Sequence, residues 1–167
     1  MITRHHENTT RSSPVNLAQL FKKLSKYPMG KTIFSKIAAR KAPYFQSIHP
    51  HVEELTETSC IVTYKKRKAV LNHIGTMHVI AICNACEMAF GFTLEAGLPR
   101  HLRWIPKGMT VRYLKKAATD LKATCNFPQI KTLTPGDHIV PVIVTDTNGV
   151  VVVEADITVY VTERPKN

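Results

Sequence analysis

NHIGTMHVIAICNACEMAFGFTLEAG, residues 72 to 97, opens on small and polar residues and then turns almost wholly apolar, with Asn84 and Glu87 the polar interruptions before Thr93. A helix apolar nearly all round is a buried one, and the run is longer than an ordinary strand. A membrane span fits the length, but Asn84, Glu87 and Gly91 inside it argue against that reading. The chain therefore reads as a soluble fold built around a core helix. Glu87 stands near the middle of the apolar run and is expected to be buried. A buried carboxylate is paired, neutralised or put to use. The plain alternative is that Glu87 meets a basic residue from another element.

Working toward the N-terminus, residues 1–14 are polar, lack an apolar run and read as a disordered tail closed by Pro14. Arg and Ser recur there as in a transit peptide, but Glu7 and the missing apolar periodicity weaken that reading. Leu17, Leu20, Phe21 and Leu24 then recur at helical spacing, and Pro28 and Gly30 break the helix. A second helix follows, with Ile33, Phe34, Ile37 and Ala38 expected inward and Lys31, Lys36 and Arg40 outward. Residues 15–47 thus read as a two-helix extension that docks on the domain, although basic amphipathic helices also lie on membranes.

Strand patterns begin after Pro50, with Val52–Leu55 and Cys60–Tyr64 flanking a Thr-Glu-Thr-Ser turn. Beyond the core helix, Pro99, Pro106 and Gly108 read as punctuation. Strands are expected over 109–117, 121–127 and 139–145, with Pro141 marking an edge or bulge. Asn148-Gly149 is a hairpin signal. From Val151 to Val161 apolar and polar residues alternate, so one face is buried and one wet. Two strands, one buried helix and four strands in sequential hairpins read as an α+β fold, an antiparallel sheet wrapped around one helix. The domain spans residues 48–163.

At 167 residues the chain has room for a single full core. Its 23 Lys and Arg against 12 acids give a net charge of +11, which favours an anionic partner, including a phosphorylated small molecule. Nucleic acid would want aromatics on the basic face, and those here are few and scattered. The four cysteines form no dense framework and follow no secretory signal, so they read as reduced thiols of a cytoplasmic protein. Cys83-Asn-Ala-Cys86 lacks a second ligand pair for zinc, and no metal site is expected. There is no nucleophile elbow, P-loop or dinucleotide fingerprint.

Asn72, Gly75 and His78 at three-residue spacing, with Glu87 nine residues after the histidine, resemble the hotdog-fold acyl-CoA thioesterases of the phenylacetate-degradation type. Thr76, Ala89 and Phe90 add weaker agreement. With RWIPKGMTV after it, the segment looks most like a domain-of-unknown-function branch of that superfamily, over roughly residues 48–162. The family's Gly-Gly after the histidine is Val79-Ile80 here. The resemblance implies a hotdog fold and thioester hydrolysis needing no cofactor, coenzyme A being part of the substrate. It makes Glu87 the base or nucleophile, the Val79 N–H the oxyanion donor, Asn72 the group that orients water or carbonyl, and His78 the residue that shapes the helix start. It places coenzyme A phosphates at Lys115 or Lys116, with Arg67 or Lys68 helping. A non-catalytic acyl-CoA or acyl-carrier binding protein is the alternative that the replaced Gly-Gly keeps open, and a hydratase on the same fold is weaker because no matching Asp and His pair stands out.

Spacing adds one constraint of its own. Val79 and Glu87 are eight residues apart, about 12 Å along a helix at 1.5 Å per residue. One thioester carbon must lie within roughly 3 Å of both partners. A working site therefore requires Val79 of one subunit and Glu87 of another, and the expected assembly is a homodimer or a tetramer of paired dimers.

Overall fold

Alternation along the chain becomes six strands in one antiparallel sheet, ordered β1-β2-β4-β5-β6-β3. They are β1 (His51–Leu55), β2 (Ser59–Tyr64), β3 (Leu102–Tyr113), β4 (Leu121–Asn126), β5 (Gly136–Thr145) and β6 (Val151–Glu163). The structure, a computed structural model, describes residues 16–165, and the tail expected over 1–14 lies outside the described residues. Helix α3, Val79–Gly97, lies in the curve of the sheet with Ala85, Cys86, Met88, Ala89, Phe90 and Leu94 fully buried against it. This is the hotdog arrangement. α3 has a mean hydropathy of 1.4 over a span-length window, but 67% of that window is buried inside the protein. It is a core helix.

The hairpin order departs from expectation in one place. β3 does not turn back onto β4; it pairs with β6 from Leu102↔Glu163 to Tyr113↔Val153, while β4 pairs with β2. Length accounts for this: the 12 residues of β3 match the 13 of β6, and β4 and β2 have six each. β3 also starts earlier than the proline and glycine suggested, running over Pro106 and Gly108 with a register shift between them. A proline is tolerated there because β3 is an edge strand. Pro141 lies in β5 just beyond Cys125↔Val142, where the pairing with β4 has ended.

The N-terminal helices are α1 (Leu17–Leu24) and α2 (Gly30–Lys41). Asn16 caps α1 by accepting the Gln19 N–H at 3.1 Å. α2 buries Phe34, Ser35, Ala38 and Ala39 but leaves Ile33 48% and Ile37 44% exposed, which corrects the expected inward set. The reason is what α2 covers. It lies along the β1 edge, where the Ser35 hydroxyl accepts the Val52 N–H at 2.8 Å and the Lys31 ammonium donates to the Glu53 carbonyl at 2.7 Å. Only a small-residue face comes that close to a strand. Phe34 meanwhile enters the core edge-on between Phe21 and Phe92, at centroid separations of 5.0 and 6.4 Å. One edge of the sheet is thus covered by a helix, and the other, β3, has no further strand beside it among the described residues.

Candidate active site

The loop before α3 is organised by Asn72. Its Oδ1 accepts the N–H groups of Ile74 and Thr76, each at 3.1 Å, and its Nδ2 donates to the Thr76 hydroxyl at 2.7 Å. Gly75, at φ +78°, supplies the left-handed residue that closes this turn. Asn72 therefore spends its oxygen on the loop and keeps one Nδ2 hydrogen. Two backbone bonds then fix where the helix begins: Met77 N–H to the Ala117 carbonyl and His78 N–H to the Val70 carbonyl, both 2.8 Å.

His78 is the N-cap of α3. Its Nδ1 accepts the Ile80 N–H at 3.1 Å, so the neutral ring carries its proton on Nε2. The Ile82 N–H reaches the His78 carbonyl at 3.2 Å, and no hydrogen bond among the described residues takes the N–H of Val79. An uncommitted donor at the positive end of a long helix is suited to a developing oxyanion.

The same two backbone bonds bring the cations there. Val70 closes the short turn that begins at Lys68, next to Arg67, and Ala117 follows Lys115 and Lys116. The four residues named for coenzyme A thus flank the start of α3 from two sides. Lys68, Lys115 and Lys116 are exposed and in no ion pair among the described residues. Arg67 is half-buried; its Nη2 donates to the Ser47 carbonyl, while its Nε has no partner.

Glu87 is exposed, not buried, and this overturns the expectation drawn from the apolar run. The sheet and the N-terminal helical segment together cover α3 on all but one side, and Val79, Ile80, Cys83, Glu87, Gly91 and Glu95 form the strip they leave open. Glu95 accepts the Trp104 indole N–H at 3.0 Å, whereas Glu87 has no hydrogen-bond or ionic partner among the described residues. The strip therefore runs from a free helix N-terminus to a free carboxylate.

A model for a domain of unknown function, DUF4442, matches residues 30–161. The chain belongs to the DUF4442 family. This DUF4442 chain is similar to a structural-genomics crystal structure designated APC5556, at 40% identity and a TM-score of 0.79 over 89% of this chain and 99% of that one. It also resembles a Pseudomonas aeruginosa protein of unknown function described as a probable thioesterase, at 19% identity and a TM-score of 0.73, over 80% and 96% of the two chains. A hypothetical thioesterase from Streptococcus pneumoniae, solved with coenzyme A, matches at 19% identity and 0.59, over 70% and 91%. At 19% identity these two share the fold alone. No curated protein matches the chain in sequence.

Two residues of this DUF4442 site escaped sequence reading. Asn84 is 4% exposed beside the strip, one turn before Glu87, and donates to the Tyr44 carbonyl and the Ser47 hydroxyl at 3.1 and 3.0 Å while its Oδ1 has no partner. Cys83 lies between Val79 and Glu87, its sulfur 3.8 Å from the Tyr113 hydroxyl. Read as half of a C-x-x-C without a second ligand pair it pointed to no site, and only the helical offset of four from Val79 and from Glu87 marks it as part of the open strip. Cys86, three residues on, is buried, and burial pushes its thiol up to about 12. Among the described residues no group of three or more His, Cys, Asp or Glu gathers as metal ligands.

Proposed function

We propose that this DUF4442 protein hydrolyses acyl-CoA thioesters at a site shared by two copies. The reading rests on the open strip of α3, which joins an uncommitted helix N-terminus ringed by cations to an uncommitted carboxylate. The Val79 N–H of one copy holds the thioester oxygen as it becomes an oxyanion, and Glu87 of the other takes a proton from the attacking water or attacks the carbonyl itself. Along the water route the C–S bond then breaks, the coenzyme A thiolate leaves and takes the proton that Glu87 had accepted, and the acyl group leaves as a carboxylate. Along the direct route the departing thiolate leaves a mixed anhydride on Glu87. A water opens it to the free acid and the regenerated carboxylate, its proton going to the thiolate. Lys115 and Lys116 meet the phosphates as point charges. The bare β3 edge supports the pairing, because it presents unpaired backbone groups along a strand that also borders the strip through Trp104 and Tyr113.

Free thiol release from a panel of short, medium, long and aromatic acyl-CoAs tests this reading. The wild type should turn over at least one class, and Glu87→Ala should lose most of that rate. The Lys115→Ala, Lys116→Ala double variant should raise KM with kcat nearly unchanged, since uniform binding is lost, and should leave an acyl-pantetheine without phosphates unaffected. An inactive wild type across the panel sinks the hydrolase reading. One observation favours a second reading, a non-catalytic acyl-CoA or acyl-carrier binder. Val79 and Ile80 are 38% and 51% exposed and stand in the open strip where the resembled thioesterases have Gly-Gly. Binding of an acyl-CoA that is recovered intact would select it.

A further inference from the structure

Residues 16 to 52 carry seven Lys and Arg residues and not one Asp or Glu. None of the seven is in an ion pair among the described residues. Within that segment, Ile33 and Ile37 lie one turn apart on α2 and are 48% and 44% exposed, and Met29, the N-cap of the same helix, is 68% exposed. Tyr27 stands before it and Tyr44 beyond it, 64% and 68% exposed. A groove of about 520 Å³ lies along the neighbouring side of α2, lined by Lys36, Arg40, Gln46, His49 and His51 among others, and no acidic residue among the described ones lines it.

An aliphatic stripe ended by tyrosines, beside a cationic groove, has two complementary needs. The stripe gains by leaving water, and the groove by meeting phosphate. A second copy of the same surface satisfies the first need and opposes the second, because two such faces repel. Nucleic acid satisfies the second alone, since Met and Ile do not stack bases as aromatic rings do. The boundary of an anionic bilayer satisfies both: acyl chains for the aliphatic residues, the polar interface for the tyrosines and headgroup phosphates for the cations.

We propose that the outer face of α2 is a docking surface for an anionic phospholipid membrane, with Met29, Ile33 and Ile37 entering the acyl boundary and Lys36 and Arg40 holding headgroup phosphates. The contact is peripheral and reversible, and it stands independently of the proposed thioesterase site.

Flotation of the full chain with vesicles of pure phosphatidylcholine, or of phosphatidylcholine mixed with phosphatidylglycerol, tests it. Binding is expected to the mixed vesicles alone and to fall as salt is raised, as screening requires. The Ile33→Ser, Ile37→Ser variant should weaken binding by about tenfold or more with its melting temperature and oligomeric state unchanged. Ile33→Ala, Ile37→Ala repeats the test with better helix formers. Lys36→Ser, Arg40→Ser should lose more binding than Lys66→Ser, Lys122→Ser, which removes the same charge elsewhere. Failure to bind mixed vesicles at low salt overturns the proposal. So does equal binding by the isoleucine variants, a change in their oligomeric state, or equal loss from the two charge variants. Tight, salt-sensitive binding of RNA that displaces the vesicles also overturns it.

Discussion

Val79 occupies the first turn of α3, where a proline can stand in for almost any residue. His78 before it is already extended, at φ −66° and ψ 134°, the conformation that a following proline demands. Val79→Pro therefore deletes one N–H while the helix keeps its start. That makes it a sharper probe than truncating a side chain, because the group in question belongs to the backbone. Its rate should fall by roughly 10² to 10³, the effect of losing one oxyanion donor, with the circular dichroism of the wild type retained. Unchanged turnover would remove Val79 from the mechanism.

The cysteines give a second check at this scale. Cys60 and Cys125 are buried with Cys86, and burial raises all three thiols, Cys125 to about 11. Thiolate is the reactive form, so an aromatic disulfide reagent at pH 8 should label Cys83 first and the other three only on unfolding. Cys83→Ser should then show no fast label. If the label enters Cys83 and the open strip is the substrate path, turnover should fall with it. Residue-level roles were the least legible part of the chain. Spacing nominated Asn72, His78 and Glu87, but apolar neighbours in sequence did not reveal that Glu87 points away from them, since a helix can hide three sides and show the fourth.

Elements were read better where one face is plainly wet. The alternation of β6 and the apolar run of α3 gave both elements their place. β3 was misread because proline and glycine signal a break unless the strand has a free side, and nothing local tells an edge from an interior strand. α2 was read correctly at Phe34 and Ala38 and misread at Ile33 and Ile37, because the residues it lays beside Phe34 are alanine and serine, which allow closeness to β1. Ser35 carries a prediction of its own. With Ser35→Ala the buried Val52 N–H loses its acceptor, at roughly 1–3 kcal/mol, seen as a lower urea midpoint. Ser35→Thr keeps the hydroxyl and should lose less.

The loop from Lys65 to Lys68 is anchored by Asp120. Its carboxylate accepts the Lys66 N–H at 2.8 Å and lies 3.3 Å from the Lys65 ammonium. The backbone bond, with the Lys65 charge behind it, holds the Asp120 carboxyl below the ordinary aspartate value of 3.8. A carboxylate depressed on folding stabilises the fold above its unfolded pKa, and that stability is lost as pH falls through the folded value. Asp120→Asn should therefore lower the melting temperature at pH 7 and shallow its fall below pH about 4 relative to wild type.

For the whole molecule the decisive experiment mixes two broken chains. Glu87→Ala and Val79→Pro each lack one half of the proposed site. In a shared arrangement their hybrid dimer holds one complete site and one doubly broken one. Random exchange at equal amounts should restore about one quarter of the wild-type rate, while each variant alone stays inactive. No recovery after verified exchange would place both halves in one chain or discard the site. The overall charge and the size of the fold were legible from composition, but the proposal of a shared site followed from a distance that only helical geometry supplies.

The two borders of the sheet are unequal: α2 closes β1 with the Ser35 and Lys31 bonds, and β3 ends in open backbone. A sheet open at both borders could add copies without limit, which is how fibres grow. One blocked border turns the same tendency into a reaction that terminates. When two β3 edges meet, each copy offers only its sealed side, and the assembly has nowhere left to extend. The two-helix extension would then set the number of chains as well as cover the fold, and removing α2 should make the protein precipitate.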